Sequence, residues 1–237
     1  IDDKGILSQY GTENLYIVIW TTTPWTLPGN MAITLNKDFE YAVVEACDKK
    51  YIMAKELVEK VMSVGKIEEY KILGELKGSE LENIICLNPV IHDKTSRVIL
   101  GSDKDLLVTL DAGTGCVHTA PGHGHEDYLC CKRYKDIDII VPVDKHGKMN
   151  ELAGKYNGMY YTKANDAIIE DLKESGMLFA SQEITHQYPH CWRCKKPVIY
   201  RATTQWFASI DGFREKALSE IDNVKWYPSW GAERMKN

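Results

Sequence analysis

The first half of the chain alternates short apolar runs with polar turns. Residues 15–20 (LYIVIW) are apolar, β-branched and of strand length, and runs at 31–35, 41–46 and 51–54 repeat the signal. Over 55–64 the sequence KELVEKVMSV switches to helical spacing, and strand-type runs return at 71–76, 84–87, 98–100 and 106–110. Strands this short and evenly spaced, crossed by a helix, predict a barrel-like or strongly curved sheet. The expected class is α+β, mainly β, with peripheral helices.

Two stretches interrupt the pattern. Residues 21–30, TTTPWTLPGN, hold two prolines, a glycine and an asparagine, which predicts an irregular loop presenting threonine hydroxyls and Trp25. Such hydroxyls either serve a ligand or satisfy their own backbone. Residues 111–128, DAGTGCVHTAPGHGHEDY, crowd three histidines, four glycines and a Glu126-Asp127 pair into eighteen positions. Beyond them a helix is expected over 126–134, because Glu126 and Asp127 suit a first turn and Lys132 and Arg133 a last one. A strand at 137–143, a polar loop at 144–158 and a helix at 164–175 stopped by Gly176 complete this part. The character changes near residue 186, where HQYPHCWRCKKP brings aromatics and a CxxC pair, before an expected helix over 203–221 and a turn-rich WYPSWG. The expected division is 1–185 and 186–237.

Composition narrows the function classes. The 237 residues suffice for one large domain with an appendage, and 44% hydrophobic content permits a sizeable core. A net charge of -5 excludes a general polyanion binder and leaves only local patches, at Lys132-Arg133-Lys135 and at Arg193-Lys195-Lys196-Arg201. Seven cysteines, five of them in or beside apolar segments, suit reduced thiols in the cytoplasm. No run approaches the ~18 apolar residues of a membrane helix, so no membrane partner is expected. A first residue of Ile1 rather than Met suggests an excerpt from a longer chain.

Three chemistries compete for residues 111–128. Cys116, His118, His123 and His125 are all metal-ligand types, but their spacing matches no zinc motif. Cys116 lies two residues before His118, a spacing that shares a strand face, yet nothing in the surrounding sequence lowers its pKa. The third chemistry is recognition: Asp127 holds an ammonium group, His118 presents an imidazole edge, and glycines keep side chains clear. Cys191 and Cys194 form half of a zinc site. Its other half lies outside the chain, or His186 and His190 complete it, or the thiols are simply reduced.

Three segments carry a family resemblance: WTTTPWTLPGN (20–30), GTGCVHTAPGHGHEDY (113–128) and HQYPHCWRCKKPVIYRATTQWF (186–207). In this order they resemble the inserted editing domain of the isoleucyl-tRNA synthetases, of class I. Valyl and leucyl relatives share the threonine loop and the GTG turn, but typically have arginine after the threonines and lack VHTAPGHG; here Pro24-Trp25 follows. The HIGH and KMSKS signatures of ATP-dependent ligation are absent, so no ligation is expected of this span.

The resemblance implies hydrolysis of valine wrongly esterified to isoleucine tRNA, by an oriented water and without a cofactor. It implies that Asp127, Thr21, Thr22 and His118 carry the reaction. Trp25, Thr23, Thr26 and Asn30, with His118 and Asp127, would bind the substrate, Asp127 taking the valine ammonium and His118 and Trp25 walling its side chain. The partners implied are the tRNA 3′ end and the rest of the synthetase, with zinc at Cys191 and Cys194 completed from outside this chain. Two alternatives stand: a zinc-dependent RNA-binding module, and a valyl-type editing domain that clears threonine.

Overall fold

A computed structural model describes residues 5–102, 107–185 and 187–237. They form two compact units, Ile1–Ala202 and Thr203–Asn237. The division falls after Ala202 rather than at the change in composition near residue 186, because the backbone of 187–202 folds back on the first unit. Ala202 N–H bonds the Gly122 carbonyl at 2.8 Å, and His190 pairs with Pro197 in an isolated bridge.

Among the described residues, the first unit holds eight short strands in two four-stranded sheets. In the first sheet β1 (Leu15–Ile17) runs parallel to β4 (Lys49–Ala54), and β3 (Glu40–Ala46) lies antiparallel to both β4 and β5 (Lys71–Lys77). In the second, β2 (Ala32–Leu35) lies between β7 (Thr95–Leu100), parallel to it, and β8 (Val117–Thr119), antiparallel; β6 (Ile85–Leu87) completes the edge. The expected β-based α+β class with peripheral helices is met. Its curvature comes from two sheets, and no closed ring forms among the described residues.

Burial explains the strand pattern. Tyr41, Ala42, Val43 and Val44 of β3 are all fully buried, which is why this run is continuously apolar instead of alternating. Helix α1 (Val58–Val64) turns Val58, Val61 and Met62 into the same core, the i, i+3, i+4 face read from the sequence. A second core gathers Trp25, Leu27, Val143, Met149 and Tyr156 with Ala164, Ile168 and Leu172 of α3 (Tyr161–Glu174). The threonine loop sits over this second core.

Several expectations change. Residues 137–143 pair only through Val143, in a bridge to Met149, since no neighbouring strand offers an edge to the rest. Leu106 lies outside the described residues, and 107–110 make turns and bends rather than a strand. The helix expected from 203 begins at Arg214 (α4, Arg214–Asn223), after β-branched Thr203, Thr204 and Ile210 and the breaker Gly212. A terminal helix α5 (Gly231–Lys236) follows. No helix among the described residues is long and apolar enough to cross a membrane.

The GTG turn docks on the first sheet through Gly115. Its φ of +76° suits glycine, and an added Cβ would lie 2.3 Å from that of Ala54. The buried Tyr41 hydroxyl donates to the Gly115 carbonyl at 2.8 Å and accepts from Asn36 N–H at 3.0 Å. Tyr41→Phe strands both groups, so it is expected to lower unfolding free energy by about 1–3 kcal/mol. A urea midpoint unchanged from wild type would show that these groups find other partners.

Candidate functional site

The threonine loop is more ordered than its composition implies. Pro24–Gly29 form a tight 3-10 turn with proline at its start, and the Thr23 carbonyl accepts from both Thr26 N–H (2.9 Å) and the Thr26 hydroxyl (2.7 Å). Thr23 N–H in turn donates to the Thr21 hydroxyl at 3.1 Å, and the Thr23 and Thr26 hydroxyls lie 3.1 Å apart. Thr22 is exposed, with its hydroxyl uncommitted among these bonds. Part of the loop's polarity therefore serves its own backbone, Thr26 and Asn30 turn inward, and Thr22 faces outward.

His118, on β8, closes the network from the other side. It is only 7% exposed, and both ring nitrogens are engaged: Nε2 with the Thr26 hydroxyl at 2.8 Å and Nδ1 with the Asn30 amide nitrogen at 2.5 Å. The Asn30 carbonyl oxygen accepts from the Ser96 hydroxyl, so the NH2 group faces His118 and Nδ1 is the acceptor. Nε2 then carries the hydrogen and donates to Thr26, whose own hydrogen goes to Thr23. Burial, reinforced by nearby His123, pushes the imidazole down to about 3. It stays neutral, and no proton is available from it near pH 7.

Asp127 lies in the first turn of α2 (His125–Cys131). One carboxylate oxygen accepts from Ala120 N–H at 2.8 Å, which ties it back to the segment carrying His118. Gly124 permits this approach, because a Cβ there would lie 2.8 Å from the Asp127 carboxyl carbon. Burial pushes the Asp127 carboxyl up to about 6, partly opposed by the Ala120 hydrogen bond. At neutral pH it is an anion with one oxygen spoken for.

These bonds join Thr21, Thr23, Thr26, Asn30 and His118 in one network, while Asp127 is tied to Ala120, two residues after His118. A cavity of about 790 Å³ opens beside Thr21, Thr22 and Asn30, lined further by Thr114, Asn165 and Asp166 among others; Thr23, Trp25, Thr26, His118 and Asp127 do not line it. Trp25, expected to be presented by the loop, is instead 3% exposed, because it packs into the second core edge-on to Tyr161 (5.4 Å between centroids), with its backbone N–H donated to the Asn165 side chain at 2.8 Å. Sequence reasoning missed Ser96 and Asn165, since a serine in a strand and an asparagine in a helix carry no distinguishing signal. Cys116 is fully buried, and burial pushes its thiol well above the usual range, which removes it as a nucleophile.

Cys191 and Cys194 sit in a tight knuckle of the first unit. Cys191 N–H bonds the Lys196 carbonyl at 2.8 Å, Lys195 N–H bonds the Cys191 carbonyl at 2.9 Å, and Lys195 takes a φ of +59°. Backbone N–H groups of Cys194 and Arg193 aimed at Cys191 hold its thiol below the usual range. That suits a thiolate ligand at Cys191. No cluster of three or more His, Cys, Asp or Glu groups suited to a metal occurs among the described residues, and His186 lies outside them.

Known proteins resemble this chain in sequence and in fold. A family model described as tRNA synthetases class I (I, L, M and V) matches residues 6–237. The isoleucine–tRNA ligase of Caldicellulosiruptor bescii is 54% identical over 100% of this chain and 25% of its own length. That of Natranaerobius thermophilus is 50% identical over 99% of this chain and 24% of its own. The chain thus spans about a quarter of the length of these curated relatives. Among solved structures, the P. falciparum cytosolic leucyl-tRNA synthetase editing domain gives a TM-score of 0.58 at 11% identity, covering 70% of this chain and 80% of that one. GlLeuRS-CP1 gives 0.56 at 14%, covering 75% and 89%. At these identities the likeness concerns the fold. With the family model running from residue 6 to the last residue and half or more of the positions identical to isoleucine–tRNA ligases, the chain belongs to the class I tRNA synthetases.

Proposed function

We propose that this chain is the editing portion of an isoleucine–tRNA ligase and hydrolyses valine esterified to the 3′ end of isoleucine tRNA. The observation that carries the reading is the threonine loop bonded to His118, with Asp127 tied to Ala120 two residues further on. It sets the Thr21 and Thr22 hydroxyls beside a cavity and holds the Asp127 anion on the segment that follows His118, with Cys116 buried as an inert thiol. The free Asp127 oxygen holds the α-ammonium of the esterified amino acid through a charge-assisted hydrogen bond. Thr21 and Thr22 orient the attacking water and the ester, and Thr23 and Thr26 shape the turn that presents them. His118 keeps Thr26 and Asn30 in place and fills the wall of the side-chain site, with Trp25 packed behind the loop.

An aminoacyl ester is already activated, so a positioned water and stabilisation of the developing oxyanion suffice. A methylene is worth only about 1–3 kcal/mol in an apolar pocket, which is why a second, size-limited site adds to the selectivity of a first. Isoleucine is excluded here by its extra methylene. Ligation of isoleucine with ATP belongs to the remaining three quarters of the parent polypeptide. The Cys191–Cys194 knuckle supplies two thiolates to a zinc ion whose other ligands come from that remainder.

Asp127→Asn keeps the shape and removes the charge, so kcat/KM for deacylation of valyl-tRNA by the full-length ligase is expected to fall by about 10- to 150-fold. Isoleucyl-tRNA should be spared by both proteins. Wild-type rates in the variant would remove the ammonium role, and faster release of threonine than of valine would favour a valyl-type site.

The pH profile supplies a second check. Because Asp127 must be ionised to hold the ammonium and its carboxyl is pushed up to about 6, kcat/KM should climb as pH rises through about 6. It should fall again where the substrate ammonium loses its proton. In Asp127→Asn the ascending limb should vanish; its persistence there would assign the limb to another group.

For the metal, one equivalent of zinc per ligase is expected to be lost in Cys191→Ser, as measured by elemental analysis. Full retention would leave the knuckle a pair of reduced thiols.

A further inference from the structure

His123 belongs to the glycine-rich run yet takes no hydrogen-bonded part in the network around His118. It is 9% exposed, and its Nδ1 lies 2.9 Å from the carbonyl oxygen of Tyr200. A carbonyl only accepts, so Nδ1 carries the hydrogen and Nε2 is a bare acceptor, which has no partner among the described residues. The ring stands edge-on to Trp25, with 4.9 Å between centroids and 78° between planes. Its Cδ2 is 3.7 Å from where a side chain on Gly29 would begin. One imidazole therefore meets both ends of the Pro24–Gly29 turn while bonding a segment almost eighty positions further along the chain.

That segment is tied twice more. Ala202 N–H donates to the Gly122 carbonyl at 2.8 Å, and Arg201 Nε donates to the Val143 carbonyl at 2.7 Å. After Ala202 the first compact unit ends. An imidazolium would add a second N–H in this dry site and set a positive charge near Arg201, so burial and Arg201 both favour the neutral ring, against the pull of the Tyr200 carbonyl.

We infer that His123 is a positioning residue that clamps 200–202 against the threonine turn, making the geometry of the editing site depend on how the segment leaving the unit is seated. Trp25 passes this constraint to the turn, and Gly124, next in the chain, passes it to Asp127. The inference rests on the editing reading for its kinetic consequence, but not for the clamp itself.

Two substitutions separate clamp from packing. His123→Phe keeps an aromatic ring against Trp25 and loses the donor. His123→Asn keeps an N–H near the position of Nδ1 and gives up part of the ring. In the full-length ligase, His123→Phe is expected to lose about 10- to 100-fold in kcat for valyl-tRNA deacylation, as a misplaced loop would, with KM moved by less than about threefold. His123→Asn should stay within about fivefold of wild type, because it restores the bond. Amide exchange at Ala202 should quicken by about tenfold or more in His123→Phe and not in His123→Asn. Arg201→Ala frees the same segment without touching the ring and should reproduce both changes, so the idea stays testable if His123→Phe misfolds.

Equal losses in the two His123 variants would reduce the residue to packing and overturn the clamp. So would wild-type kcat in both His123→Phe and Arg201→Ala. If wild-type ligase released no valine at all, the editing reading would fall, and Ala202 exchange would still decide the clamp alone: faster in His123→Phe upholds it, unchanged overturns it.

Discussion

Burying an imidazole is costly unless its polar atoms find partners, and His118, with both nitrogens engaged, is the group around which this site is arranged. Asn30 precedes β2, Ser96 lies on β7 and His118 on β8, so the chain Ser96–Asn30–His118 runs across three neighbouring strands in their sheet order. Thr26 extends it out of the sheet into the loop. Each group takes the role its neighbour leaves open, and removing one would strand the next in a dry interior. The threonine loop is therefore held as an extension of the second sheet.

The same burial sorts the chemistry. It drives His118 down until it is neutral at any ordinary pH, and it drives Asp127 up, yet not so far that the carboxyl is protonated near pH 7. One group becomes a fixed dipole and the other an anion. It also drives Cys116 into inertness. An activated nucleophile and a metal cluster are each missing among the described residues of this patch, while one anion and several hydroxyls remain. That pattern suits a site that binds and orients better than one that attacks.

Much of this was legible in residue order. The short strands and α1 follow from periodicity, and the start of α2 from Glu126 and Asp127, because each depends on local spacing and on one buried face. Residues 137–143 mislead for a related reason: their composition is strand-like, but a strand needs a partner edge, and none is within sight of the sequence. Over 203–213 apolar spacing imitates a helix, while β-branched residues and Gly212 defer it to Arg214. At the site, the resemblance selected His118 and Asp127, which the structure joins through the backbone between them. Asn165 and Ser96 stayed invisible, since their importance lies in partners 140 and 66 positions away.

Size exclusion asks more of a wall than an apolar surface. A pocket rejects one extra methylene only if its walls cannot give, for a soft wall would accept the larger side chain at little cost. Trp25, behind the loop, is fixed on three sides: by His123 at its face, by Tyr161 at 5.4 Å, and by Asn165 through its backbone N–H. Leu27 is anchored in the same core. The turn between them has little freedom to retreat, while Thr22 and the cavity stay open to a ligand. On the editing reading, the selectivity of the site resides as much in this second core, which stiffens the loop from behind, as in the residues that line the pocket.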